Sequence, residues 1–300
     1  MRARNVAVVM GGTSTERDVS LRSGKAVSQG LADAGYAVTP VVLDADAVDG
    51  IPEAVDAVFI ALHGGYGENG GIQADLDARG LPYTGSGAAA SSLAMDKAAT
   101  KRVLAAAGIP TAAYELLPPG VVGTSLALPV VVKPPCDGSS VGVGLVRRRG
   151  EWEAALEEAR RVDPQGRALV ETYIPGREWT VGILIDEALP VVEIRAPGGW
   201  YGFDAKYTAG KTQYVFPDGP DDRALADRCR RLALESFRAA GCRGMGRVDF
   251  RVTPAGEPFV LEINTVPGFT ATSLLPKAAS RRGIAFPDLC AAILEAARCG

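Results

Sequence analysis

Histidine is almost missing from this chain, with one residue, His63, among 300. The five cysteines (Cys136, Cys229, Cys242, Cys290 and Cys299) are odd in number, scattered, and form no C-x-x-C pair. Neither a disulfide framework nor a zinc knuckle is written here, and a reducing, cytoplasmic setting is expected. With so few imidazole and thiolate groups, zinc and copper lack a ligand set, so any metal must be held by oxygens. No apolar run approaches the roughly 18 residues of a membrane span. The apolar residues 6–9 ahead of Gly11-Gly12 are too few for a secretion signal. Charge of one sign is missing too: 32 basic against 35 acidic residues leave a formal net charge of −3, and no block exceeds Arg147-Arg148-Arg149. Nothing here holds a nucleic-acid backbone or an anionic membrane, so a small molecule is the expected partner.

At roughly 100–200 residues per domain, the length predicts two or three lobes, each able to bury a core without staples. Short β-branched runs at 6–9, 38–43 and 57–62 alternate with a helical pattern at 20–34, which predicts a parallel α/β unit. A helix over 97–107 stops at Gly108-Ile109-Pro110, a glycine-then-proline terminator. From Pro129 the pattern turns to strands with glycine turns (130–133, 141–146, 168–172 and 179–184) around one acidic helix, 151–161. Residues 197–220 carry five Gly, three Tyr and no clear period, and a loop of that length is expected to be a functional lid. A helix with Leu225, Cys229, Leu232, Ala233 and Phe237 on one face follows, then two strands and a last helix over 286–297. Boundaries fall at 1–92, 93–185 and 186–300.

Residues 247–252 and 259–264 read as an antiparallel hairpin with one apolar and one polar face. Val248, Phe250, Val252, Phe259, Leu261 and Ile263 are expected in the core. If Val252 pairs with Phe259, Asp249 lies opposite Glu262 and Arg247 opposite Asn264. Two carboxylates roughly 5 Å apart repel unless a cation lies between them. Oxygen donors alone select a hard ion, and magnesium with a nucleotide's phosphates completing its shell fits best. The plain alternative is a hairpin whose polar face is merely wet.

No G-x-x-x-x-G-K-[ST] loop is present to receive the phosphates. Gly85-Ser86-Gly87-Ala88-Ala89-Ala90 fits a relaxed dinucleotide fingerprint but follows a strand containing Pro82, and it reads as a turn. The better candidate runs from Lys133 through Gly138-Ser139-Ser140-Val141-Gly142: backbone N–H groups and two hydroxyls converge while Lys133 adds a point charge. Alone, such a turn is more often only a turn.

Nine motifs stand in order. They are Gly11-Gly12-Thr13-Ser14-Thr15-Glu16-Arg17-Asp18-Val19-Ser20-Leu21, Ala61-Leu62-His63-Gly64, Tyr83-Thr84-Gly85-Ser86-Gly87, Met95-Asp96-Lys97 and Val132-Lys133-Pro134. Gly138-Ser139-Ser140-Val141-Gly142, Ala205-Lys206-Tyr207, Arg247-Val248-Asp249 and Glu262-Ile263-Asn264-Thr265-Val266-Pro267-Gly268 complete them. Together they resemble the ATP-grasp superfamily, and within it the D-alanine:D-alanine ligases, over essentially the whole chain. The resemblance implies mixed α/β and α+β architecture: an N-terminal parallel α/β lobe, a central ATP-clamping lobe and a C-terminal lobe. It implies ATP, D-alanine, magnesium or manganese, and a homodimer. Lys97, Lys133, Lys206 and the loop Gly138, Ser140 and Val141 would meet the phosphates. Glu171, Tyr173, Ile174 and Glu178 would meet adenine and ribose, and Asp249, Glu262 and Asn264 the ion. Arg247 and the Gly268 N–H would hold an oxyanion, and Glu16, braced by Ser139 and Tyr207, the first ammonium. His63 would lie near that substrate, and Ser273 and Leu274 would take the second carboxylate.

Plainer readings stand beside these: Glu16 as a helix-start acid, His63 as a strand-end residue satisfied by backbone, and Tyr207 as a packing aromatic. Tyr66, Asn69 and Pro135-Cys136-Asp137 depart from the commoner family forms. A D-alanine:D-lactate ligase, a non-catalytic nucleotide binder and a dehydrogenase are the competing functions. Tyr207 argues against the first and the retained Arg247, Asp249, Glu262 and Asn264 set against the second. The third rests only on the Gly85 turn.

Overall fold

The computed structural model describes residues 5–196 and 212–300. Strands β1 (Asn5–Gly11), β2 (Ala37–Leu43) and β3 (Ala57–Ile60) form a parallel sheet in the order β2-β1-β3, with α1 (Arg17–Asp33) crossing between the first two. Every residue of β1 after Asn5 is buried, as a strand covered on both faces requires. Tyr83 adds a parallel bridge to Val58 at the sheet's edge. The Gly85 turn beyond it packs onto the distant Arg243, whose Nε donates to the Gly85 carbonyl at 3.2 Å. Helices α2 (Gly71–Ala78), α3 (Ala88–Met95) and α4 (Lys97–Ala106) follow. Asp96 caps α4 by accepting from the Ala99 N–H at 2.9 Å. An Asp96→Ala variant is expected to lose about 1 kcal/mol of stability. Urea unfolding checks this, and an unchanged midpoint would show that the cap contributes nothing.

The second sheet is antiparallel, β4-β7-β5-β6, from β4 (Tyr114–Leu117), β5 (Val130–Lys133), β6 (Gly144–Val146) and β7 (Ala168–Thr172). Helix α5 (Trp152–Val162) covers it through Leu156 and Ala159. β6 is shorter than the expected strand over 141–146. Gly142, inside that range, holds a left-handed φ of 68° that a strand cannot contain, and Ser139 and Ser140 just ahead of it hold φ of 53° and 58°.

The third sheet is β10-β9-β8-β11-β12, built from β8 (Arg177–Leu184), β9 (Glu187–Arg195), β10 (Gln213–Val215), β11 (Met245–Val252) and β12 (Pro258–Asn264). β8 thus belongs by its hydrogen bonds with the strands that follow it. Part of the expected lid is strand, since Gln213–Val215 pairs with Arg195, Ile194 and Glu193; residues 197–211, with Lys206 and Tyr207, lie outside the described residues. Helix α6 (Pro220–Ala239) packs on this sheet with Cys229, Leu232, Ala233 and Phe237, as its periodicity predicts. Of the last two helices, α7 (Leu274–Arg281) packs on β8 and β9 while α8 (Phe286–Glu295) turns back to α1 and the first sheet; Leu275, Cys290 and Ile293 share one core with Val8, Val27 and Phe59. Among the described residues no helix is long and apolar enough to cross a membrane.

Candidate active site

The β11–β12 pair sets Asp249 opposite Glu262 and Arg247 opposite Asn264, the expected facing. The turn end differs. Val252 pairs with Pro258 and Phe250 with Val260, so Leu261 is an extra residue on β12. Such a bulge turns two successive residues toward one face. Val260 is therefore the buried residue, while Phe259 and Leu261, expected in the core, are half-buried, and Leu261 joins Glu262 in a cavity wall.

Asp249 is buried and well held. The Arg247 guanidinium donates from Nε to Oδ1 and from Nη2 to Oδ2, both at 2.8 Å, and the Thr180 hydroxyl donates to Oδ1 at 2.5 Å. Glu262 faces the Lys97 ammonium at 3.4 Å. Lys97 also donates to the Asp137 carbonyl at 2.5 Å, while its own N–H donates to the Pro135 carbonyl at 2.9 Å. Burial alone would draw the Lys97 ammonium down; Glu262 and Asp137 lift it above its ordinary value. Lys133 lies 2.9 Å from one oxygen of Glu171, and Lys101 lies 3.0 Å from the other. Burial pushes Glu171 up, but the two lysines outweigh it and hold the carboxyl below its usual range.

Two cavities meet here. One of about 110 Å³ runs between the second and third sheets, bounded by Lys133, Glu171, Tyr173, Ile174, Glu178 and Leu261. The other, about 340 Å³, opens between the third sheet and the N-terminal residues Glu16, His63 and Glu68. Lys97, Asp137 and Glu262 line both, so they form the common wall. The serine turn hangs over it: Gly138 and Ser139 face the larger space and Ser140 the smaller. The Ser139 hydroxyl bonds to the Glu16 carboxylate, tying this turn to the first sheet's loop. Val141 lines neither cavity; its N–H closes the turn on the Gly138 carbonyl at 3.2 Å.

His63 is buried with both ring nitrogens engaged. Nδ1 lies 3.0 Å from the Val266 carbonyl, which can only accept, so Nδ1 carries a proton, and Nε2 lies 2.9 Å from the Ser23 hydroxyl. Glu68 sits 3.6 Å from Nδ1, and burial raises its pKa, with nearby Glu16 adding to the shift and His63 opposing it. Ser273 stands directly ahead of α7, its Oγ accepting from the Thr270 N–H at 3.0 Å beside Gly268. Ser273, Leu274, Gly268 and Arg247 all line the larger cavity.

Three contributors escape a reading by motif. Lys101 stands one helical turn from Lys97, and that i,i+4 spacing would have flagged it. Arg251 follows Asp249 by two on β11 and so shares its face; it donates to the Ile174 and Gly176 carbonyls at 3.1 and 2.8 Å and pairs with Glu178 at 3.3 Å. Thr180 faces Asp249 only through the β8–β11 pairing, which no local signal announces. Among the described residues no three His, Cys, Asp or Glu groups gather around a metal position. The residues that the resemblance assigns to an ion are two carboxylates, Asp249 and Glu262, and the Asn264 amide, whose oxygen accepts one bond from the Val266 N–H at 3.0 Å and retains a second lone pair. All-oxygen donors of this kind suit a hard divalent ion.

Two antiparallel sheets closing on a cavity, with a parallel lobe beside them, define an ATP-grasp enzyme. The crystal structure of D-alanine–D-alanine ligase from Bacillus anthracis complexed with ATP superposes with a TM-score of 0.86 at 32% identity, covering 98% of this chain and 97% of that one. The family model for the D-ala D-ala ligase C-terminus matches residues 103–295. The D-alanine–D-alanine ligases of Syntrophotalea carbinolica and Acidiphilium cryptum are 45% and 46% identical over 300 and 303 residues, covering 99% of this chain and 97% and 99% of theirs. The chain belongs to the D-alanine–D-alanine ligase family.

Proposed function

We propose that this chain joins two D-alanines into D-alanyl-D-alanine at the expense of ATP, supplying a peptidoglycan precursor in the cytoplasm as a homodimer. The observation that carries the reading is the shared wall: Lys97, Asp137 and Glu262 separate a narrow cavity from a wider polar one, so a phosphoryl group and a carboxylate can meet across it. The nucleotide lies in the smaller cavity, its rings against Tyr173, Ile174 and Leu261, its ribose toward Glu178, and its phosphates toward Lys97, Lys133, Lys206 and the 138–141 turn. Asp249, Glu262 and Asn264 would hold magnesium, which would neutralise phosphate charge.

The first D-alanine places its ammonium at Glu16, with Ser139 and Tyr207 in the same network and His63 fixing the wall behind. Its carboxylate attacks the γ-phosphorus, releasing ADP and leaving an acyl phosphate. The amine of a second D-alanine, whose carboxylate sits at Ser273 and Leu274, then attacks the acyl carbon and displaces phosphate. Arg247 and the Gly268 N–H stabilise the oxyanion formed between these events. Acyl phosphates hydrolyse, so residues 197–220 serve to exclude water.

Phosphate release from ATP tests the reading. Release is expected with D-alanine and not with L-alanine, and D-lactate added to D-alanine is expected to yield no depsipeptide. Release without any D-amino acid, or depsipeptide formation, would overturn the proposed substrate.

A further inference from the structure

Lys101 is fully buried, borders neither cavity, and has no part in the chemistry just described. Burial, with Lys133 adding to it, draws its ammonium below the ordinary lysine value while Glu171 opposes them, and the geometry around it favours the charged form. The ammonium has three protons, and three acceptors surround it: Thr111 Oγ1 at 2.7 Å, Glu171 Oε1 at 3.0 Å and the Ala112 carbonyl at 3.5 Å. The Thr111 hydroxyl spends its own proton on the Val260 carbonyl at 2.8 Å, so toward Lys101 it can only accept. A neutral amine would present a lone pair to this shell of acceptors.

Glu171 therefore lies between two cations, each on one of its oxygens, and the buried cluster Lys101–Glu171–Lys133 carries a net charge of +1. Of its three members only Lys133 and Glu171 reach the smaller cavity. Without Lys101, Glu171 would cancel Lys133, and the cavity wall would be neutral where a triphosphate needs a cation. The same side chain links the two sheets that enclose the cavity, from Glu171 on β7 through Thr111 to Val260 on β12.

We infer that Lys101 is a positioning residue for the nucleotide: by neutralising Glu171 from behind, it leaves the charge of Lys133 free for the phosphates. This rests on the placement of the nucleotide proposed above. In the full chain, calorimetric titration with ADP and with adenosine separates charge from shape, because adenosine carries no phosphate. Lys101→Met is expected to weaken ADP on the order of 10- to 100-fold while adenosine binding and the KM for D-alanine stay unchanged. Lys101→Gln, which keeps amide donors for Thr111 and Ala112, is expected to lose ADP affinity equally. Lys101→Met combined with Glu171→Gln returns the cluster to +1 and is expected to bind ADP more tightly than Lys101→Met alone.

Equal loss of adenosine and ADP, retention of ADP affinity in Lys101→Gln, or a double variant no better than the single one would each overturn the inference. Lys133→Met serves as the reference. Unchanged ADP affinity there would overturn the placement of the phosphates and the inference with it. A loss there with none in Lys101→Gln overturns the role of Lys101 alone.

Discussion

Replacing Arg247 with methionine is expected to lower kcat by about 10²–10³, with the KM for ATP changed far less. The guanidinium lies along β11 with two of its N–H groups on Asp249, at 2.8 Å each, and its edge lines the larger cavity. Its charge is thus fixed in place before any substrate arrives. A donor held in this way loses no energy to reorganisation when negative charge develops on the acyl oxygen, so its removal is felt in the transition state. Arg247→Lys is expected to recover little, because a single ammonium cannot fork onto Asp249 and still present a donor to the cavity. Steady-state kinetics of ADP release checks both variants. A kcat for Arg247→Lys near that of the unaltered chain would show that charge alone suffices and would remove the oxyanion role.

The second large effect is expected from Glu262→Gln. Altering a group just outside a metal's ligands commonly costs 10–100-fold, so losing a carboxylate of the proposed ligand set is expected to reduce activity by more than about 100-fold at low magnesium. Part of that loss should return as magnesium is raised, since Asp249 and Asn264 of the proposed ligand set remain on the same pair of strands. Lys97 also loses the partner that lies 3.4 Å away, which adds a magnesium-independent component. Activity measured across a magnesium series separates the two. A loss that ignores magnesium entirely would assign Glu262 to holding Lys97 and not to the ion.

How far these residues could be read from the chain differs by case. Asp249 facing Glu262 was legible because alternation on two short strands is local and strong. The register at the turn was not, because the bulge at Leu261 restores the pairing that a slip at Pro258 would otherwise have spoiled. The serine turn was legible as a phosphate candidate, yet the turn runs on through the left-handed Gly142 and the following strand begins three residues later than its apolar pattern suggests. Lys101 carried a signal in its spacing from Lys97, but nothing local says that it points at Glu171, a residue seventy positions later. Likewise the amphipathic face of α8 announces a partner without naming it. Only the fold shows Cys290 and Ile293 against the core of the first sheet. Local periodicity writes elements and faces, whereas pairings across long stretches of chain are settled by packing.

The central claim is that Asp249, Glu262 and Asn264 grip one divalent ion above the phosphates of a nucleotide seated between the second and third sheets. Crystals grown with ADP and manganese, with anomalous data collected at the manganese edge, test it most directly. The account predicts a peak roughly 2.0–2.2 Å from the Asp249 and Glu262 carboxylate oxygens, a distance typical of oxygen donors around a small hard cation. ADP should run from Glu178 toward Lys133. A peak away from both carboxylates, or ADP bound outside that cavity, would contradict it.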